Sequence, residues 1–118
     1  MSDLAAQKRQ LSIKTGVVKR LSKEVHMYTD ECKEQEAAVK KAIDEAQEPW
    51  EVRRQEGLLK DSAQMIPDTK RRLQDAVADI STFIRHGAPN KQEGLTEDSK
   101  GTEEFKSALQ AIENAQQP

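Results

Sequence analysis

Residues 4–46 read, in blocks of seven, LAAQKRQ LSIKTGV VKRLSKE VHMYTDE CKEQEAA VKKAIDE A. Every block begins with an apolar residue, and Leu21, Tyr28 and Ala42 add apolar positions three residues further on. A repeat of this kind is typical of a long helix that packs against another helix along one seam. The stretch therefore predicts a first helix over about residues 2–47.

A second seven-residue repeat consists of Val52, Leu59, Ile66, Leu73 and Ile80. It predicts a second long helix over about residues 50–86. Between the two repeats, Pro49 suits the first turn of a helix, where its missing N–H group costs nothing. Because the link is short, we expect the two helices to be antiparallel neighbours.

The remaining chain predicts a loop and a shorter third helix. Residues 87–101 are polar and contain glycine and proline, which indicates a loop. Thr102 then suits an N-cap, and Glu103 and Glu104 suit the first turn, where the helix dipole favours acids. The apolar stripe of this helix, over about residues 102–117, consists of Phe105, Ala108, Leu109, Ile112 and Ala115.

Length and composition favour one helical domain over residues 1–118. The chain has 118 residues, of which 35% are apolar, 34% are charged and 3% are aromatic. So few aromatic and β-branched residues argue against a sheet-based core. We predict an all-α fold, an antiparallel three-helix bundle in which the third helix covers the N-terminal third of the first.

Two features of the predicted hairpin bear on partner binding. Its seam contains polar positions, which suit a narrow two-helix interface left open to water or to a partner: Gln35, Gln55, Ser62 and Thr69. Pro67 lies in the middle of the second repeat, where it removes a backbone hydrogen bond and predicts a kink. The kink either wraps the helix around its neighbour or shapes a recognition surface, and the sequence leaves both open.

The chemistry of the residues argues against catalysis. The two histidines, His26 and His86, lie far apart in the sequence, and neither has a metal-binding spacing with Cys32. No glycine-rich phosphate loop is present. We therefore expect no enzyme activity, no cofactor and no metal. One cysteine and an N-terminus without a long apolar run indicate the reducing cytoplasm.

Charge is segregated although the net charge is only −2. Residues 4–23 contain six bases and no acid, whereas residues 24–56 contain ten acids and five bases. Some of the N-terminal bases (Lys8, Arg9 and Lys14) could face Glu103 and Glu104 of the third helix. Ile13, Gly16 and Met27 lie among the others on an outward face, which favours a contact surface over a purely solvated one.

Two segments resemble the signature stretches of a known family. Residues 13–21 (IKTGVVKRL), with Lys23-Glu24 and Met27-Tyr28 after them, form the first, and residues 65–68 (MIPD), with Arg71-Arg72-Leu73 after them, form the second. Both resemble the tubulin-binding cofactor A family, and residues 103–106 (EEFK) resemble the start of that family's third helix. The resemblance spans most of the chain but not the link at Pro49-Trp50, the loop at 87–101 or the C-terminal tail.

The resemblance implies a three-helix bundle that captures β-tubulin released from the cytosolic chaperonin and passes it on toward the αβ-heterodimer. Implied partners are β-tubulin and downstream tubulin-folding cofactors, without nucleic acid, membrane, nucleotide or metal. The implied location is the cytoplasm, in association with the cytoskeleton. Together with the outward face, the matched segments give the candidate partner-binding residues: Ile13, Gly16, Lys19, Arg20, Lys23, Met27, Met65, Pro67, Asp68, Arg71 and Arg72.

Two other functions remain open at this stage. The hairpin could be a generic coiled-coil adaptor that pairs with another helix or with a second copy of itself, without a tubulin client. The basic run could instead bind an anionic surface, such as nucleic acid or acidic lipid.

Overall fold

The computed structural model describes residues 2–86 and 95–116. In these residues the chain forms four α-helices: α1 (Ser2–Asp44), α2 (Pro49–His86), α3 (Glu97–Lys100) and α4 (Glu103–Gln116). The prediction of an all-α chain is confirmed, and α4 corresponds to the predicted third helix. The one-turn helix α3 falls inside the predicted loop, so that prediction is wrong for residues 97–100. The part of that loop at residues 87–94 lies outside the described residues.

The chain consists of two compact units. Unit 1 contains Met1–Ser22 and Arg72–Pro118, and unit 2 contains Lys23–Arg71. The single domain over residues 1–118 and the antiparallel three-helix bundle both stay predictions.

Unit 1 has a core to which α1, α2 and α4 all contribute. Its buried members are Leu11, Val18, Ile80, Phe83, Leu95, Ala108 and Ala111. Val18 and Ile80 occupy matching levels of the two seven-residue repeats, and both are fully buried here. Leu109 is exposed, contrary to its predicted place in the apolar stripe of α4, because Ala108 and Ala111 take the inward positions.

The short helix α3 is fixed to α1 by side-chain hydrogen bonds. Thr96 caps α3 by accepting a hydrogen bond from the backbone N–H of Ser99. The side-chain oxygen of Gln7, Oε1, accepts a hydrogen bond from the backbone N–H of Thr96 at 3.3 Å. It also accepts one from the hydroxyl of Ser99, which is fully buried. Thr102 caps α4 as predicted, since its hydroxyl accepts from the N–H of Phe105 at 3.2 Å. These bonds bring the segment after residue 94 against the start of α1.

In unit 2, α1 ends three residues earlier than predicted, in a turn built from backbone hydrogen bonds. The N–H of Gln47 donates to the carbonyl of Ala42, and the N–H of Ala46 donates to that of Ile43, both at 3.0 Å. Ala46 has a φ of 52°. Together these features form a Schellman motif, in which an alanine takes the left-handed position that usually belongs to glycine. Pro49 begins α2, as predicted.

The interior of unit 2 is partly polar. Thr69 is only 1% exposed, so the prediction of an open polar seam is wrong at this position. Gln35, Gln55 and Ser62 are half-buried. Helix α2 runs without a break across Pro67, whose ring is exposed. The predicted kink stays a prediction.

Candidate protein-binding surface

The outward side of α1 in unit 1 carries four of the predicted binding residues. Leu11 and Val18 of this helix are fully buried, whereas Ile13 is 53% exposed. Gly16, Lys19 and Arg20 are exposed as well. Residues three and four apart on a helix share a face, so Ile13, Gly16 and Arg20 form one outer row. The structure therefore brings these residues together on a surface that the core does not use.

Unit 1 uses part of the N-terminal basic run internally. Lys8 Nζ lies 3.8 Å from Glu104 Oε1, as the predicted contact with the third helix requires. Lys14 pairs instead with Asp79 of α2, at 2.7 Å, so its predicted contact with α4 is wrong. Glu103 pairs with Lys106 within its own helix, at 3.7 Å.

The arginines among the candidate residues are already engaged. Arg71 donates to Asp68 within α2 of unit 2, with Nη2 2.6 Å from Oδ1. Arg20 and Arg72 each have an interaction partner as well. A partner that uses these groups must share them or displace what they contact.

Unit 2 holds the other candidate residues, apart from Arg72, which belongs to unit 1. Lys23 and Met27 are exposed on α1, and Met27 is 45% exposed. Met65 and Pro67 are exposed on α2, where Asp68 is half-buried. Unit 2 thus presents methionine side chains on both of its helices.

Sequence reasoning missed several exposed apolar side chains. Ile43, Trp50 and Leu58 are exposed in unit 2, and Trp50 is 60% exposed. The repeat itself held the signal, since Ile43 and Leu58 each adjoin a seam position (Ala42 and Leu59) and so point away from the seam. Trp50 lies in the predicted link between the helices, outside both repeats.

Next to Trp50, Glu51 is the centre of a small charged network. Arg54 donates two hydrogen bonds to its carboxylate, at 2.7 and 3.0 Å, and Gln55 donates a third, at 3.0 Å. Hydrogen bonds from Arg54 and then Gln55 stabilise the ionised form and lower the pKa of Glu51 from its ordinary value of 4.5 to about 2. The same pairing raises the pKa of Arg54. This network links neighbouring turns at the start of α2.

A metal-binding cluster and a membrane-spanning helix are both absent from the described residues. These residues contain no group of three or more His, Cys, Asp or Glu side chains placed to hold a metal ion. Within the same ranges, no helix has the length and apolar character that a membrane crossing requires.

Comparison with known proteins identifies the family. The sequence pattern of the family described as "Tubulin binding cofactor A" matches residues 6–112. The chain belongs to this family. Among its relatives, the chicken protein named "Tubulin-specific chaperone A" is 39% identical over 104 residues, which cover 88% of this chain and 91% of that protein.

Solved structures of cofactor A proteins share the fold. The tubulin folding cofactor A from Arabidopsis thaliana superposes with a TM-score of 0.78 at 29% identity, covering 94% of this chain and 96% of that one. The human tubulin chaperone cofactor A gives a TM-score of 0.74 at 34% identity, covering 94% and 99%. The resemblance carried by residues 13–28 and 65–73 is therefore confirmed at the level of the cofactor A family.

Proposed function

We propose that this protein is a tubulin-folding chaperone that captures monomeric β-tubulin after chaperonin release, stabilises it, and hands it on toward αβ-heterodimer assembly in the cytoplasm. Family membership supports a tubulin client, since relatives of this chain are named tubulin-specific chaperones. Downstream tubulin-folding cofactors would then be the partners that receive the subunit.

The observation that carries the proposal is the outer face of α1 in unit 1. An apolar side chain, Ile13, is exposed there beside Gly16 and Lys19. Residues 4–23 contain no acid, and two of their other cations, Lys8 and Lys14, are paired inside the unit. A mixed apolar and basic surface fits an acidic client whose apolar surface is not yet covered.

The proposed binding residues are those of the two matched segments. In α1 they are Ile13, Gly16, Lys19, Arg20, Lys23 and Met27. In α2 they are Met65, Pro67, Asp68, Arg71 and Arg72.

Stabilisation of the client needs no energy source. A protein that binds the monomeric subunit better than its unfolded or assembled forms shifts the population toward that subunit by mass action. When the free chaperone concentration is ~100 times the Kd, binding stabilises the monomeric subunit by about 2.7 kcal/mol. Release then follows when a competing partner binds the same subunit more tightly.

The experiment is gel filtration of the full chain with three probes: β-tubulin released from the chaperonin, α-tubulin, and the assembled heterodimer. We expect co-elution with β-tubulin only. The variant Lys19→Glu/Lys23→Glu should lose co-elution, because it reverses two exposed charges among the proposed binding residues. Its matched control is Lys33→Glu/Lys40→Glu, which makes the same change in net charge at exposed positions of α1 that are not among those residues.

Four results would contradict the proposal. One is no retention of β-tubulin by the wild-type chain, and another is equal retention of the heterodimer. The third is equal loss in both charge-reversal variants, which would indicate a general electrostatic attraction in place of a defined surface. Binding that vanishes entirely in moderate salt would likewise favour an anionic-surface binder.

A further inference from the structure

Gly16 has no structural reason to be glycine. Gly16 lies in the interior of α1, where a glycine lowers helix stability by roughly 0.5–1 kcal/mol relative to alanine. Apart from its chain neighbours and the adjacent backbone of α1, a Cβ atom added at Gly16 would meet no atom of the described residues within 4 Å. No close approach inside the unit therefore excludes a side chain here. The missing side chain lowers the stability of the helix without any gain in internal packing.

The surroundings of Gly16 form a regular row. Arg9, Ile13, Gly16 and Arg20 follow one another at spacings of four, three and four residues. This is the spacing of a helix seam that receives a second helix, and all four residues are exposed. The row is distinct from the inner seam, in which Leu11 and Val18 are fully buried. We call these four residues the outer seam.

The charged residues that α1 carries along the outer seam, from Arg9 to Lys23, are all basic. Residues 4–23 contain six bases and no acid. Lys8 and Lys14 contact acids of α4 and α2, but Arg9 and Lys19 are exposed near Gly16. A surface complementary to the outer seam must therefore be acidic.

We propose that the outer seam receives an acidic amphipathic helix of the client, which crosses α1 at Gly16. The inference rests on the proposed function and names the element of the client that is recognised. The absent side chain leaves a notch between Ile13 and Arg20, into which one apolar side chain of the client helix fits. Small residues at a crossing point let two helix backbones approach closely, which increases their contact area.

Unit 2 supplies a matched control glycine. Gly57 is also exposed in a helix interior, and a Cβ there also would meet nothing within 4 Å. It differs in its neighbours one turn away: Arg53 and Arg54 precede it, and Lys60 and Asp61 follow, so both signs of charge are present and no apolar residue stands in line. Substitutions at Gly57 therefore report on helix propensity without the outer seam.

The test compares Gly16→Ala and Gly16→Gln with Gly57→Ala and Gly57→Gln. Both alanine variants should raise the urea midpoint of the chain, because alanine favours a helix more than glycine does. Affinity is measured by titration against β-tubulin released from the chaperonin. We expect Gly16→Ala to weaken binding about threefold and Gly16→Gln more than tenfold, whereas both Gly57 variants bind like the wild type.

A second comparison tests that the occupant is a helix lying along the seam. Ile13→Ala and Arg9→Ala should each weaken binding, because a helix contacts several consecutive positions of the row. Gln10→Ala changes an exposed residue beside the row and should leave binding unchanged. If Gly16→Gln loses binding while Ile13→Ala and Arg9→Ala both bind like the wild type, the proposal that the occupant is a helix is overturned.

Failure of the inference and failure of the proposed function give different results. Wild-type chain that binds β-tubulin, with Gly16→Gln and Gly57→Gln binding equally well, overturns the inference and leaves the proposed function standing. Wild-type chain that does not bind β-tubulin overturns both. The urea midpoint of Gly16→Gln must match or exceed that of the wild type. This result excludes unfolding of the chain as the cause of lost binding.

Discussion

Lys14 of α1 donates a hydrogen bond to Asp79 of α2, with Nζ and Oδ2 2.7 Å apart. The same Nζ lies 5.6 Å from the centre of the Phe83 ring. Phe83 is buried in the core of unit 1, whereas Asp79 is exposed. One lysine therefore joins the first helix to both the apolar and the charged part of the second.

We expect Lys14→Met to destabilise unit 1, because methionine keeps the apolar stem but loses the charge. Exposed ion pairs contribute about 0.2–1 kcal/mol, and a lysine over an aromatic ring contributes a similar amount. A double-mutant cycle with Asp79→Asn, followed by urea unfolding, separates the two contributions. The coupling between Lys14 and Asp79 should be about 0.5 kcal/mol and should fall in high salt. Zero coupling at low salt would show that the hydrogen bond adds nothing to stability.

Thr15→Val should stabilise the protein. The Thr15 hydroxyl is buried, with the residue 5% exposed, and has no hydrogen-bond partner among the described residues. Removing an unpaired buried hydroxyl while keeping the shape of the side chain gains about 1 kcal/mol. The measurement is the urea midpoint, with Thr15→Ser as the control, since serine keeps the hydroxyl and loses the methyl group. A lower midpoint for the valine variant would mean that the hydroxyl has a partner.

Ala46→Gly should stabilise the turn between α1 and α2. A left-handed backbone conformation costs a residue with a Cβ atom roughly 1–2 kcal/mol, and glycine avoids this cost. Glycine also gives the unfolded chain more conformational freedom, which offsets about 0.4–1 kcal/mol of the stabilisation. We therefore expect a net gain of about 0.5 kcal/mol in thermal or urea unfolding. The control Ala37→Gly, at an exposed position within α1, should lose about 1 kcal/mol instead. Equal losses in both variants would contradict the role of the Schellman motif.

Glu51 should make stability depend on acid pH. Its pKa is lowered to about 2 in the folded chain, from an ordinary value of 4.5. A carboxyl group with a lowered pKa stabilises the fold fully above its unfolded pKa, and that contribution disappears as pH falls through the folded pKa. The window here runs from about 4.5 down to about 2. The contribution of Glu51 is measured at each pH as the free energy of unfolding of the wild type minus that of Glu51→Gln. A flat difference across this window would show that Arg54 and Gln55 do not hold the ionised carboxylate in solution.

Periodicity predicted the long helices well because a seven-residue repeat records which side of a helix is buried. Leu11, Val18 and Ile80 all follow the repeat and are fully buried. Turn chemistry was equally direct at Pro49, which begins α2, and at Thr102, which caps α4. The repeat did not fix the end of α1, since Ala46 continues the apolar pattern but takes a left-handed turn conformation.

The short helix α3 escaped prediction because its stability comes from tertiary contacts. A four-residue helix has no periodicity to detect, although Thr96 followed by Glu97 and Asp98 carries a capping signal. Its fixing residue, Gln7, lies 89 residues away from Thr96 in the sequence. The burial of Thr69 could not be predicted from the sequence either, because a seam position can hold an apolar or a polar residue of similar size.

For the candidate surface, the sequence predicted exposure more readily than charge partners. Ile13 and Met27 are exposed, as their places off the seam indicate. The partners of Lys14 and Arg71 depended on which acids lie within reach in the folded chain, and the sequence offered several. Asp79 and Asp68 took these roles.

The division of the chain into units has a consequence for its synthesis. Unit 2 is one continuous segment, Lys23–Arg71, whereas unit 1 joins Met1–Ser22 to Arg72–Pro118. On the ribosome, Leu11 and Val18 emerge long before Ile80 and Ala108, which cover them in the finished core. The nascent chain therefore carries Leu11 and Val18 uncovered until the residues that pack against them, from Ile80 to Ala111, have been made.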